Sequence, residues 1–167
     1  MPTKLCSVCN RLQTIPSKQW GYLDNSGDFV CSKECVIEWV LHAKMPKAAL
    51  QNVEYLSRDR GNEEYSQKMK MYFRSRYELL VAEELYNFGF RVRYEEIGFQ
   101  LRDGLAHYVP DFYILDHCLI EVKGKWGVGG KKKMRRFRDD FPEVPLLVIP
   151  WNIKSDFYRG KEHNVIC

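Results

Sequence analysis

The 167-residue sequence has no long apolar run. Its longest runs, such as Leu146-Leu147-Val148-Ile149, are far short of the ~20 residues a helix needs to cross a bilayer, so no membrane partner is expected. The opening residues, Met1-Pro2-Thr3-Lys4-Leu5-Cys6, lack the apolar core of a secretory signal, and the expected location is intracellular, in cytoplasm or nucleoid. Charge of one sign is also scarce in the total: 26 Lys and Arg stand against 22 Asp and Glu, a formal balance of +4. So mild a balance names no partner. Internal repeats and low-complexity segments are missing, which removes solenoids and fibrous proteins. With 45% hydrophobic and 29% charged residues, the composition excludes a disordered chain and fits one folded domain with a small accessory module.

The distribution of charge says more than its sum. Between Val122 and Arg138 lie Lys123, Lys125, Lys131, Lys132, Lys133, Arg135, Arg136 and Arg138, with no acid among them. Such a block favours a polyanion, although a solvated helix face produces the same pattern.

Four of the six cysteines form two close pairs, Cys6-x-x-Cys9 and Cys31-x-x-x-Cys35. In a reducing compartment close thiol pairs hold a metal more readily than they form disulfides. Four thiolates satisfy Zn²⁺ completely and leave no open position, which makes the role structural. Cys6 and Cys9 flank a knuckle within Leu5–Asn10, residues 20–30 read as a hairpin around Asp24-Asn25-Ser26-Gly27, and Ser32 is placed to cap a helix carrying Cys35, Val36, Trp39 and Val40. Knuckle, hairpin and helix in that order make a treble clef, and Phe29–Cys35 resembles the second half of MYM or TRASH-type fingers. The finger is expected over residues 1–45, and zinc would supply much of its folding energy. His42 reads as a surface helix residue, and Cys118 and Cys167 as bystanders. Fingers of this kind bind DNA, bind protein or brace a neighbour, and the residues do not choose.

A linker is expected over residues 46–62, with room for a short helix over Lys47–Ser57, and a catalytic-type domain over 63–167. From about Glu63 to Phe88 the pattern reads as a helix, with Tyr77, Leu80, Val81, Leu85 and Phe88 at spacings of three and four and Gly89 at its end. Strands are expected at Phe90–Ile97, Tyr108–Leu115 and Cys118–Lys123, then a helix over Lys131–Phe141 and a strand at Val144–Ile149. That order, helix, three strands, helix, strand, predicts an α/β core whose last two strands run parallel across a helical crossover. Residues 151–167 carry no readable motif.

The chemistry concentrates on Pro110-Asp111 and Glu121-Val122-Lys123. Residues two apart on a strand share a face, so Glu121 and Lys123 point the same way. A hairpin through Asp116-His117 would bring Asp111 to them. Two carboxylates at one spot repel unless a cation neutralises them, and hard oxygen ligands select Mg²⁺ or Mn²⁺. Glu78, on the preceding helix, would complete the metal shell; Glu83 and Glu84 lie on the same helix and compete for that role.

Glu78, Pro110-Asp111 and Glu121-x-Lys123, on this order of elements, resemble the PD-(D/E)xK nuclease superfamily. The wording Ser75-Arg76-Tyr77-Glu78, Val109-Pro110-Asp111-Phe112 and Ile120-Glu121-Val122-Lys123-Gly124 is similar to endonucleases of phages and mobile elements. The resemblance implies a restriction-endonuclease-like core and metal-dependent hydrolysis of DNA, in a prokaryotic host or phage-infected cell. It assigns metal binding to Asp111, Glu121 and Glu78, and activation of the attacking water to Lys123. Lys125, Lys131, Lys132, Lys133, Arg135, Arg136 and Arg138 would then contact phosphates beside the site. A homing or transposition enzyme is the leading expectation. A branched-DNA nuclease and a non-cleaving zinc-dependent DNA-binding protein are the rivals. One site per chain makes a double-strand break easiest for a homodimer or a larger recombination complex, and a nicking monomer fits the same residues.

Overall fold

The computed structural model describes residues 2–15, 28–57, 63–123 and 129–159. It is a mixed α/β structure with four sheets and four α-helices among the described residues. Trp20 to Gly27 of the expected hairpin, Gly124 to Val128 and Cys167 lie outside them.

Strands β1 (Thr3–Leu5) and β2 (Leu12–Thr14) pair antiparallel around the Cys6–Cys9 knuckle. The knuckle is closed by Asn10 N donating to Cys6 O at 3.0 Å and Cys6 N donating to Arg11 O at 3.0 Å, with Asn10 at φ 58. Helix α1 (Lys33–His42) starts where expected: the Ser32 hydroxyl accepts from Cys35 N at 3.3 Å, meeting one of the donors left over at a helix start. Its buried face, Cys35, Val36, Ile37 and Val40, points to the core, and His42 is exposed. This module is fastened to the rest of the chain by Lys33 Nζ to Glu84 Oε1 at 3.3 Å and by Met45 N to Asp116 O at 3.1 Å.

Within the stretch read as a linker, a short 3₁₀ turn (Lys47–Leu50) stands in place of the expected helix and is followed by β3 (Val53–Tyr55). β3 pairs with β7 (Ile97–Gln100), which pairs with β8 (His107–Tyr108), making a three-stranded sheet.

The helix expected from Glu63 begins only at Arg76. Residues 64–73 form a hairpin, β4 (Glu64–Ser66) with β5 (Met71–Phe73), which turns through Lys70 at φ 53. Helix α2 (Arg76–Asn87) is capped at one end by Ser75, whose hydroxyl accepts from Glu78 N at 3.2 Å. At the other, Gly89 N reaches Tyr86 O at 3.0 Å and Phe90 N reaches Leu85 O at 3.1 Å, a Schellman ending that Gly89 permits at φ 101. Tyr77, Leu80, Val81 and Leu85 are buried as the spacing predicts; Phe88 lies past the last turn, exposed, and stacks on Phe90.

The four-stranded sheet has the order β11 (Leu146–Ile149), β10 (Cys118–Val122), β9 (Phe112–Ile114), β6 (Val92–Tyr94). β10 and β11 are parallel, joined by α3 (Gly130–Asp140), as expected. β10 is buried along its whole length, which suits an apolar central strand. Two expected strands are broken. Phe90–Ile97 splits at Glu95, buried at φ 48, which sends the chain from β6 into the other sheet as β7. Tyr108–Leu115 splits at Val109-Pro110-Asp111, where proline cannot donate to a ladder. Those two breaks face each other: Glu95 N donates to Asp111 O at 2.9 Å.

Candidate active site

The β9–β10 register pairs Ile120 with Phe112, and one further step puts Asp111 opposite Glu121. The bond that follows is specific: Asp111 Oδ2 accepts from Val122 N at 2.7 Å. Lys123, just past the end of β10, forms an ion pair with Glu121 Oε1. Glu121 is buried at 6% exposure, and its other oxygen accepts from the Tyr108 hydroxyl at 2.8 Å. One carboxylate, one ammonium and one phenol therefore satisfy each other in a place where an unpaired charge would be costly.

Electrostatics follow from that burial. Burial first, and the Glu121 charge second, push the Asp111 carboxyl well above its ordinary range, with Lys123 opposing. For Lys123 burial works against the charged form, but attraction to Glu121 and Asp111 outweighs it and holds the ammonium above its usual value. A raised lysine stays protonated near neutrality and acts as a donor, not as a base. Burial and the Glu121 charge likewise raise the Tyr108 hydroxyl, which keeps it a donor.

Glu78 sits in the first turn of α2. Its Oε1 accepts from the Ser75 hydroxyl at 2.9 Å and its Oε2 from the Tyr94 hydroxyl at 2.6 Å, while Tyr94 also receives Arg74 N at 3.0 Å. Glu78, Asp111 and Lys123 line one open cavity of about 500 Å³, together with Arg74, Arg76 and Lys154. Glu83 bonds Ser66 at 2.7 Å, and Glu84 pairs with Lys33; neither lines this cavity. Two acids and four cations around one opening suit an anionic ligand brought up to a cation-binding spot.

The basic residues of α3 divide. Lys132, Lys133 and Arg135 are exposed, and Lys131 is half-buried. Arg136 is paired with Asp103. Arg138 turns inward, donating from Nη2 to Leu146 O at 3.0 Å, and burial pulls its guanidinium below the usual value. No α3 residue lines the cavity. Lys125 lies outside the described residues.

Sequence patterning missed several residues here. Tyr94 holds Glu78, Glu95 pairs with Arg74 at 3.0 Å, and Trp151, Lys154 and Tyr158 wall the cavity. Only the last three had a signal available, a Trp-x-x-Lys-x-x-x-Tyr spacing that puts one face of a helix together.

At the N-terminal end the four sulfurs of Cys6, Cys9, Cys31 and Cys35 lie within 4.8 Å of one another. Cys9 to Cys31 is 3.5 Å and Cys31 to Cys35 is 3.8 Å. Bonds of ~2.3 Å to a tetrahedral zinc imply sulfur separations of about 3.8 Å, so the thiols could hold a metal such as zinc. Among the described residues this is the only cluster of three or more such ligands that closes to that degree. Burial acts against the Cys6 thiolate, but the N–H groups of Cys9, Val8 and Cys31 bring the thiol down to about 7. Burial pushes Cys31 and Cys35 up. Cys118 is buried in β10, away from this set.

The fold and site thus define a mixed α/β protein with an acid and ammonium centre opening into a cation-lined cavity, and a separate cluster of four thiols. The family profile of phage endonuclease I matches residues 61–165, and the chain belongs to that family. Membership implies a nuclease, with DNA as substrate. No curated protein and no solved structure matches the chain. No helix among the described residues is long and apolar enough to cross a membrane.

Proposed function

We propose that the chain is a metal-dependent endodeoxyribonuclease of the PD-(D/E)xK kind, with a restriction-endonuclease-like core and a structural zinc finger. The observation that carries the proposal is the pairing of Asp111 with Glu121 across β9 and β10, next to the Lys123 ammonium. The donor set fits a hard divalent cation: two carboxylates whose mutual repulsion is felt at Asp111 gain most when a cation arrives. Asp111 and Glu121 would hold Mg²⁺ or Mn²⁺, with Glu78 added once it releases Ser75 or Tyr94. When bound, the ion supplies Lewis-acid polarisation of a phosphoryl oxygen.

The chain's own residues do the rest. Lys123, protonated, donates to the attacking water or to the phosphoryl oxygens and offsets charge that develops there. Tyr108 and the Val122 N–H hold Glu121 and Asp111 in place, with Asp111 at the wall of the cavity and Glu121 behind it. Lys131, Lys132, Lys133 and Arg135 approach the flanking backbone and add salt-sensitive affinity without sequence information. Arg136 and Arg138 contribute by holding α3. The four thiols bind Zn²⁺, and the finger braces α2 through Lys33. A homing or transposition setting belongs to the same proposal.

Supercoiled, linear and branched DNA incubated with the purified protein test this reading. Cleavage is expected in Mg²⁺ or Mn²⁺ and none in a chelator. DNA binding with no cleavage in any metal would instead support a non-cleaving binder, and preference for the branched DNA would favour a junction or flap enzyme over a sequence-specific one.

A further inference from the structure

The short 3₁₀ turn Trp151–Ile153 and helix α4 (Lys154–Tyr158) follow β11 and close one side of the cavity. Their inward residues are fixed. Ile153 and Phe157 are buried, Phe157 meets Tyr77 edge to face at 5.8 Å, and the Tyr77 hydroxyl donates to Pro150 O at 2.9 Å. Trp151, Lys154 and Tyr158 occupy the other face. Trp151 is 43% exposed and stands perpendicular to Tyr77 at 6.1 Å. Lys154 Nζ lies 3.6 Å from the centre of the Trp151 ring and 4.9 Å from that of Tyr158.

Lys154 differs from the other cations of the cavity. Lys123 is paired with Glu121, Arg74 with Glu95 at 3.0 Å and Arg76 with Glu64 at 3.7 Å. Lys154 makes no ion pair with any described residue; two aromatic rings hold it. A ring quadrupole positions an ammonium but carries no net charge, so the full positive charge remains for an anion. The rings also restrict a flexible side chain in advance of binding. A sphere with the cavity's volume is about 10 Å across, against a rise of ~3.4 Å per nucleotide, so the opening admits more than the reacting phosphate.

We propose that Trp151, Lys154 and Tyr158 form a subsite for a non-scissile backbone phosphate of the bound strand, with Lys154 as its ligand and the two rings as positioning residues. This rests on the nuclease reading above. Phosphate binding of this kind fixes the strand's register at Asp111 and Glu121 without reading its sequence.

Binding of a fluorescein-labelled duplex oligonucleotide to the full chain, with Ca²⁺ in place of Mg²⁺ and over a range of KCl, tests the subsite. Removing one phosphate-neutralising cation makes the slope of log affinity against log salt shallower by ~0.9, and Lys154→Ala is expected to show that change. Lys154→Arg should restore the slope. Trp151→Leu should weaken binding about threefold with Lys154 present and not at all in the Lys154→Ala background, because the ring acts through the lysine. An unchanged slope in Lys154→Ala, or additive losses in the double variant, overturns the subsite. If Trp151→Leu does not fold, the Ala and Arg variants at 154 decide alone. Cleavage in Mg²⁺ is scored separately: its absence from the wild type overturns the nuclease reading, while a slope change in Lys154→Ala still supports the subsite.

Discussion

Tyr108 donates its hydroxyl to Glu121 Oε2 at 2.8 Å, and its ring stacks on Phe137 of α3 at 4.4 Å between centroids. The glutamate is thereby held at the oxygen that Lys123 does not engage, by a residue on the other sheet, and the crossover helix packs against that residue's ring. Phe137 in turn meets Phe99 at 5.1 Å and Phe141 at 5.3 Å, so the support reaches well into the core.

Removal of that hydroxyl should be felt at once. Tyr108→Phe keeps the stacked ring but leaves a buried carboxylate oxygen unpaired, a loss of about 1–3 kcal/mol. Lower thermal stability and roughly tenfold slower cleavage of a DNA substrate are expected, the latter from a barrier raised by about 1.4 kcal/mol when Glu121 is less well oriented. Wild-type stability with wild-type rate in Tyr108→Phe would mean that the bond does neither job.

Asp111 gives a prediction with a definite sign. Its carboxyl is held above the ordinary range by burial and by Glu121, so the folded state binds its proton more tightly than the unfolded state does. In a chelator, this group's contribution to stability is present at low pH and is lost as the pH rises through the raised folded value. Asp111→Asn, which can still accept from Val122 N, should therefore melt above the wild type near neutral pH. The gap should narrow as the pH falls toward the ordinary aspartate value of ~4. A variant less stable than the wild type throughout, compared by thermal melts in chelator, would contradict the assignment.

The four-thiol cluster predicts about one zinc per chain, since four thiolates fill one tetrahedral shell. Cys35→Ser should lose the metal and melt earlier, and strong chelation of the wild type should do the same. Cys118→Ala, altered in β10 instead, should keep its zinc. Elemental analysis beside melting curves separates the two; zinc retained in Cys35→Ser would count against the cluster.

On α3 the basic residues should separate by role. Replacing Lys132, Lys133 and Arg135 together with Gln should weaken DNA binding and flatten its salt dependence, by ~0.9 in slope for each phosphate left unneutralised. Arg138→Gln should instead lower stability, because it removes the bond from Arg138 Nη2 to Leu146 O. Titrations at several salt concentrations and a thermal melt distinguish these outcomes.

What could be read in the sequence is what local chemistry dictates. The Ser32 cap, the Gly89 ending and the parallel β10 and β11 across α3 depend on neighbouring residues and on an apolar run with one crossover. The Asp111 and Glu121 pairing follows from a short hairpin, which leaves little freedom of register. The hairpin at 64–73 was hidden because the helical spacing from Tyr77 onward can be extended backward through it, although Ser75-x-x-Glu78 marks the true start. The break at Glu95 depends on a left-handed backbone position that glutamate rarely adopts, held by Arg74 and the Asp111 carbonyl from elsewhere in the chain. Tyr108 could not be matched to Glu121 without the two sheets in place, nor Tyr94 to Glu78 without α2 set against β6. Trp151, Lys154 and Tyr158 had helical spacing but too short a segment for periodicity to register.

The central claim is that Asp111, Glu121 and Lys123 form the cleaving centre, and single-turnover cleavage by Glu121→Ala and Lys123→Ala tests it most directly. Each variant is expected to cut DNA in Mg²⁺ at least about tenfold more slowly than the wild type, while still folding and still binding the same DNA in Ca²⁺. Cleavage within a factor of about two of the wild type in either variant would contradict the account.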